Sequence, residues 1–219
     1  MGFTYNSIGE EIRRLFVPSD DPGRRPIPLE DLVVYNPKKQ VSQLQFKAAS
    51  PSIPITRDEF TVVVYIDGAC RGNGTPGARA SYGVYFGPDS PYNTNGLLPE
   101  TIPHTSTSAE IEALTMALRT VKDVCSNDFK LQHIIVASDS AYLVDAMSLY
   151  VEGWIENEGI GSKGKVVHHY ERLKALHEML DEMEYGDDGG IRVQFWHIDR
   201  SMNREADALA NAVLDEKRM

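Results

Sequence analysis

The chain has 219 residues, 42% of them hydrophobic, which is enough apolar material for one domain with a sizeable core plus an extension. Its net charge is -10, so an overall basic, polyanion-seeking surface is excluded. No apolar run approaches the roughly 20 residues that a membrane-spanning helix needs, and two cysteines far apart, Cys70 and Cys125, make neither a disulfide framework nor a zinc site.

In chain order, residues 1–58 read as an N-terminal extension, irregular or partly disordered, ahead of a domain at 59–219. An amphipathic piece from Ile8 to Phe16 precedes Pro18, Pro22, Pro26 and Pro28, a spacing that interrupts regular structure. Leu32 to Tyr35 and Val41 to Phe46 are either short strands or docking segments, and Pro51 and Pro54 close the stretch. The bland reading is a tail that wraps the domain or stays mobile. The N-terminus lacks an apolar signal core, Glu10 and Glu11 argue against a transit peptide, and Asn6 breaks the myristoylation pattern. A nuclear or cytoplasmic location follows as the expectation.

From residue 60 the patterns predict strands near 61–67, 80–88 and 93–98, the first three forming an antiparallel meander. A helix is expected over about 107–124, with Ile111, Leu114, Ala117, Leu118 and Val121 at helical spacing. A buried strand at 132–138 leads into a helix from 140 to about 150. A longer helix follows near 166–184, then an alternating strand at 191–198 and a last helix at about 202–217. Three strands followed by alternating strands and helices imply an α/β fold with a mixed sheet covered by helices.

Four carboxylates stand in recognisable settings. Asp67 ends the apolar run Val62 to Ile66, and Asp139 ends the run His133 to Ser138. Glu110 lies in the first turns of a predicted helix, and Asp207 lies in the last one. Acids gathered where a sheet edge opens to water repel one another, and a divalent cation is the usual remedy. Each has a plainer alternative. Asp67-Gly68 is a common turn pair, Asp139 could cap the helix after Ser140, Glu110 could serve the helix dipole, and Glu205 competes with Asp207.

Tyr65 to Gly74, Ala80 to Gly87, Ala109-Glu110, Ser138-Asp139-Ser140, Gly153-Trp154, Gly164-Lys165 and Asn203 to Asp207 occur in the order of the type 1 cellular ribonuclease H family. The chain resembles that family over about residues 60 to 216. The resemblance implies an RNase H-like fold: a mixed five-stranded sheet, antiparallel meander plus parallel strands, flanked by helices. It implies a metal-dependent endonuclease that cuts the RNA strand of RNA–DNA hybrids, leaving 5′-phosphate and 3′-hydroxyl ends. The implied cofactor is Mg²⁺, two ions with Mn²⁺ able to substitute, held by Asp67, Glu110, Asp139 and Asp207. Cys70, Arg71 and Asn73 after the first acid, and Ser106, Thr107 and Ser108 before the helix glutamate, are the candidate substrate contacts; the plainer reading of the first three is an ordinary Gly-rich turn. The expected partners are the hybrid and a protein docking through residues 1–58; the chain is expected to be a monomer.

Three features depart from the family pattern. The segment Thr105 to Ala109 lacks the usual Asn and Arg. The short link Ile198 to Met202 has no counterpart of the family's loop histidine; His197 lies on the preceding strand and reads as structural, and Arg200 is either an electrostatic substitute or an ordinary solvated loop arginine. Ile155 to Ile160 brings Glu156 and Glu158 where a basic protrusion would lie, and Lys163 and Lys165 restore part of the charge. Residues 1–58 carry 8 Lys/Arg and 7 Asp/Glu, so the remainder is strongly acidic. Weak, salt-sensitive binding of substrate is expected. Two alternatives stay open: a catalytically weak nucleic-acid-binding or scaffold protein, and a nuclease for structured or double-stranded RNA.

Overall fold

The computed structural model describes residues 14–50, 52–187 and 189–215. The first part of the Ile8 to Phe16 piece, the N-terminal residues weighed for targeting, and the last two residues of the predicted C-terminal helix lie outside the described residues. The described residues form eight strands: β1 (Val33–Asn36), β2 (Val41–Phe46), β3 (Thr56–Arg57), β4 (Thr61–Arg71), β5 (Arg79–Tyr85), β6 (Thr94–Leu97), β7 (His133–Ser138) and β8 (Arg192–His197). Five helices accompany them: α1 (Ser106–Asn127), α2 (Ala141–Asp145), α3 (Val151–Glu156), α4 (Tyr170–Tyr185) and α5 (Arg204–Asp215).

The long strand β4 organises the sheet. Its first half pairs in parallel with β7 (Thr61↔His133 to Tyr65↔Ala137), and β7 pairs in parallel with β8. Its second half pairs antiparallel with β5, which carries β6 on its far side. These are the five strands that the sequence predicts. The sheet is larger than five strands because β2 pairs with β4 (Ser42↔Val63), β1 with β2, and β3 with β2. Of the two readings open for Leu32 to Tyr35 and Val41 to Phe46, the strand reading holds.

Alternation along β4 divides the core in two. Val62, Val64 and Ile66 pack with Ile111, Leu114, Leu118 and Val121 of α1 and with Leu173 and Leu180 of α4. Val63, with Ile135 and Ala137 of β7 and Trp196 of β8, faces the other way and meets Phe16, Ile27, Leu32 and Leu44. Phe16 meets Trp196 edge-on, with ring centroids 5.7 Å apart. The residues ahead of β4 thus form the second wall of the sheet. Pro18 opens the short 3-10 turn Pro18–Asp20, Pro22 and Pro26 fall in the turns after it, and Pro28 precedes the 3-10 turn Leu29–Asp31.

Two helices differ from expectation. The segment after Ser140 does not stop near 150: α2 widens into a π-helical stretch at Ala146–Tyr150 and continues as α3 to Glu156, so Trp154 is helical and packs against the core. Helix α4 begins at Tyr170 rather than 166, because His169 takes a left-handed conformation (φ 63°) and Ile160 bridges Val166. Among the described residues no helix is long and apolar enough to cross a membrane.

Candidate active site

Parallel pairing of β4 with β7 sends both strands out at the same end of the sheet. Continuing the register Tyr65↔Ala137 by two places sets Asp67 beside Asp139 on adjacent strands. Neighbouring strands lie only about 4.8 Å apart, so the two acids share one surface. Glu110 arrives from α1. A Cβ at Gly68 would lie 2.3 Å from the Glu110 nitrogen, so only glycine lets the start of α1 lie this close to β4. Thr105 caps that helix, accepting from the Ser108 N–H at 3.1 Å. Asp207 arrives from α5, which lies against β5 because a Cβ at Gly83 would come within 2.3 Å of the Ala206 carbonyl. Ser81 Oγ donates to the Ala210 carbonyl at 2.5 Å, and Asn95 Nδ2 to that of Leu209 at 2.8 Å.

Asn203 joins these elements. Its Nδ2 donates to the Ile66 carbonyl at 2.9 Å and to Asp139 Oδ1 at 2.6 Å, and it is almost wholly buried. One side chain therefore locks the middle of β4, the acid after β7 and the start of α5 together. Asn203 opens the last sequence motif, and nothing in the motif marks it for this role. An uncharged residue four places before an acid carries no local signal of such a bridge.

Electrostatics place the acids in one neighbourhood. Burial, then Asp139 and Asp207, push the Asp67 carboxyl up to about 7, against a hydrogen bond from Gly68 and the charge of Arg200. Burial, then Asp67 and Asp139, hold Glu110 well above the carboxylate range, again opposed by the Gly68 hydrogen bond and Arg200. Glu110 Oε2 is a buried oxygen without a hydrogen-bond partner. Asp207 Oδ1 accepts from Arg200 Nη2 at 3.3 Å. Glu205, its rival, is exposed and bears instead on Tyr65 and Tyr85.

Among the described residues no three Asp, Glu, His or Cys side chains already stand in the arrangement of a metal cage. The donor set still fits a hard divalent cation: four carboxylates, mutually repelling, one with an orphaned buried oxygen.

The remaining candidates divide. Asn73 is exposed in the turn after β4, and Ser106 and the partly buried Thr107 open α1 beside Glu110. Arg71 is paired with Asp215 at 2.6 Å. The Cys70 thiol is half-buried and turned toward the His104 carbonyl at 3.6 Å. Ser108 is fully buried and its hydroxyl accepts from that of Thr105 at 2.9 Å, which sets it in the packed first turn of the helix. His197 is exposed at the end of β8.

Comparison with known proteins agrees with this construction. The structure of the foamy viral protease-reverse transcriptase in complex with RNA/DNA hybrid superposes with a TM-score of 0.56 at 16% identity, over 78% of this chain and 22% of that one. The fold is RNase H-like. The family model for RNase H matches residues 59–215. Ribonuclease H1 of Homo sapiens is 31% identical over 172 residues, covering 74% of this chain and 55% of that protein. Ribonuclease H of Clostridium botulinum is 30% identical over 158 residues, covering 71% of this chain and 96% of that protein. The chain spans about half the length of its mammalian relatives. It belongs to the RNase H family.

Proposed function

We propose that this chain is a divalent-cation-dependent ribonuclease H that hydrolyses the RNA strand of RNA–DNA hybrids. The observation that carries the reading is the convergence of Asp67 and Asp139 on adjacent parallel strands with Glu110, whose buried Oε2 has no hydrogen-bond partner; burial and the neighbouring acids raise both Asp67 and Glu110. A structural acid would have a cation or a set of donors close by. These acids have one backbone N–H, one exposed arginine, and each other.

Asp67, Glu110, Asp139 and Asp207 would hold the cation, with two Mg²⁺ ions as the expected complement and Mn²⁺ as a substitute. When bound, the cation supplies a water of lowered pKa as nucleophile and positive charge to offset that on the departing 3′ oxygen. The chain itself fixes the acids. The Gly68 N–H offsets part of the cost of charge on Asp67 and Glu110, and Asn203 holds Asp139 from the side. Hydrolysis with departure of the 3′ oxygen leaves a 5′-phosphate and a 3′-hydroxyl. Ser106, Thr107 and Asn73, polar and at least partly exposed, would read a 2′-hydroxyl or the sugar edge.

Offering the protein labelled hybrid, duplex RNA and duplex DNA in parallel tests this. Cutting confined to the RNA strand of the hybrid, with 5′-phosphate products, is the expected result. Cutting of duplex RNA at a similar rate would replace hybrid specificity with the structured-RNA reading.

A further inference from the structure

The link between β8 and α5 brings two cations to the edge of the acid cluster. Arg200, Ser201 and Arg204, with Asp207, line an open hollow of about 360 Å³. The backbone there is tied down. The Ile198 N–H donates to the Ser138 carbonyl at 3.0 Å, the Ser201 N–H to the Asp199 carboxylate at 2.8 Å, and the Asn203 N–H to the Arg200 carbonyl at 3.1 Å. Asn203 then anchors the far end through Ile66 and Asp139.

The side chains are free by contrast. Arg200 is 80% exposed, and its ion pair among the described residues is the 3.3 Å contact with Asp207. Arg204 is exposed and makes no ion pair or side-chain hydrogen bond among the described residues. An exposed pair of this kind is weak, so a divalent cation arriving at Asp207 displaces Arg200 easily. A displaced guanidinium on a fixed base, beside a second guanidinium and a hydroxyl, matches a phosphate diester, which takes paired N–H donors from arginine. In a chain of net charge -10, two exposed guanidinium groups here make a local positive spot beside the acids.

We propose that Arg200, Ser201 and Arg204 form a phosphate-holding subsite at the acid cluster. Arg200 is the counter-charge of Asp207 until a divalent cation replaces it, and then turns with Arg204 to a phosphodiester of the substrate backbone. The phosphate role rests on the nuclease reading above. The counter-charge role does not, since it concerns the cation alone.

The test uses Arg200→Gln, Arg204→Gln, the double variant and Arg200→Lys, all on the full chain. Both positions are exposed, so melting temperatures should match the wild type. Calorimetric titration with Mn²⁺ and no nucleic acid should give about two- to five-fold tighter binding for Arg200→Gln, the strength of an exposed ion pair. Arg204→Gln should leave that affinity unchanged. Equal or weaker binding by Arg200→Gln would overturn the counter-charge role. In hybrid cleavage, the slope of log kcat/KM against log salt should become shallower by about 0.7–0.9 for each arginine removed. Arg200→Lys should keep the slope. A wild type that cleaves while the double variant keeps the full slope overturns the subsite and leaves the nuclease reading standing. A wild type inert toward hybrid overturns that reading and the phosphate role together, and the Mn²⁺ titration still decides the counter-charge role.

Discussion

Replacing Asp67 by Asn should make the cation-free protein more stable, and more so as pH rises. Asp67 moves from an ordinary carboxylate value of 3.8 to about 7 on folding. The folded state therefore holds its proton more tightly than the unfolded chain. The stabilisation is fully present below pH 4 and is lost as pH rises through 7. Three units at about 1.36 kcal/mol each set a ceiling of about 4 kcal/mol of lost stability at alkaline pH. Asp139 and Asp207 share in that repulsion, so the amide should recover about 1–3 kcal/mol, or about 2–4 °C in Tm per kcal/mol for a chain of this length. Thermal melts in EDTA at pH 5.5, 7 and 8.5 measure it. Wild type should fall behind Asp67→Asn as pH increases, and Mg²⁺ should raise the wild-type Tm most at pH 8.5 while moving the variant little. An Asp67→Asn protein that is less stable than wild type at pH 8.5 without cation would refute the reasoning.

Other outcomes follow from single contacts. Asn203→Ala removes both donors to Ile66 and Asp139, so it should lower activity or cation affinity by about 10- to 100-fold and cost about 1–3 kcal/mol, read by kinetics and denaturant melts together. Leu44→Ala empties the wall opposite the helices and should cost about 2–5 kcal/mol in urea unfolding, with the folded protein still active in the cold. His133, held down to about 4 chiefly by burial, should show the opposite linkage to Asp67. Its contribution is complete above pH 6.5 and is lost as pH falls toward 4, by at most about 3 kcal/mol; titration of its ring by NMR should find no proton gain at pH 5.5.

Much of this was legible because it is local. The run Val62 to Ile66 has to be a buried strand, and the spacing Ile111, Leu114, Leu118, Val121 has to be a helix face. Acids that close two such apolar runs share a surface once the strands are parallel, and β4 and β7 are, although β4 itself runs on past Asp67 to Arg71. The wall built from Phe16, Ile27, Leu32 and Leu44 was not legible. Its proline-broken pieces bury their apolar side chains against Val63 and Trp196, partners more than fifteen residues away. Asn203 and the buried Ser108 escaped for the same reason: a side-chain amide or hydroxyl shows its role only through distant or capping partners. The late start of α4 reflects the left-handed His169, which no propensity signals.

Cleavage of a strand-labelled RNA–DNA hybrid with Mg²⁺ or Mn²⁺, beside an Asp139→Asn control, tests the central claim most directly. Cation-dependent cutting of the RNA strand that disappears in the variant is the expected result. Wild-type protein, folded by its melting curve, that leaves the hybrid intact with either cation would contradict it.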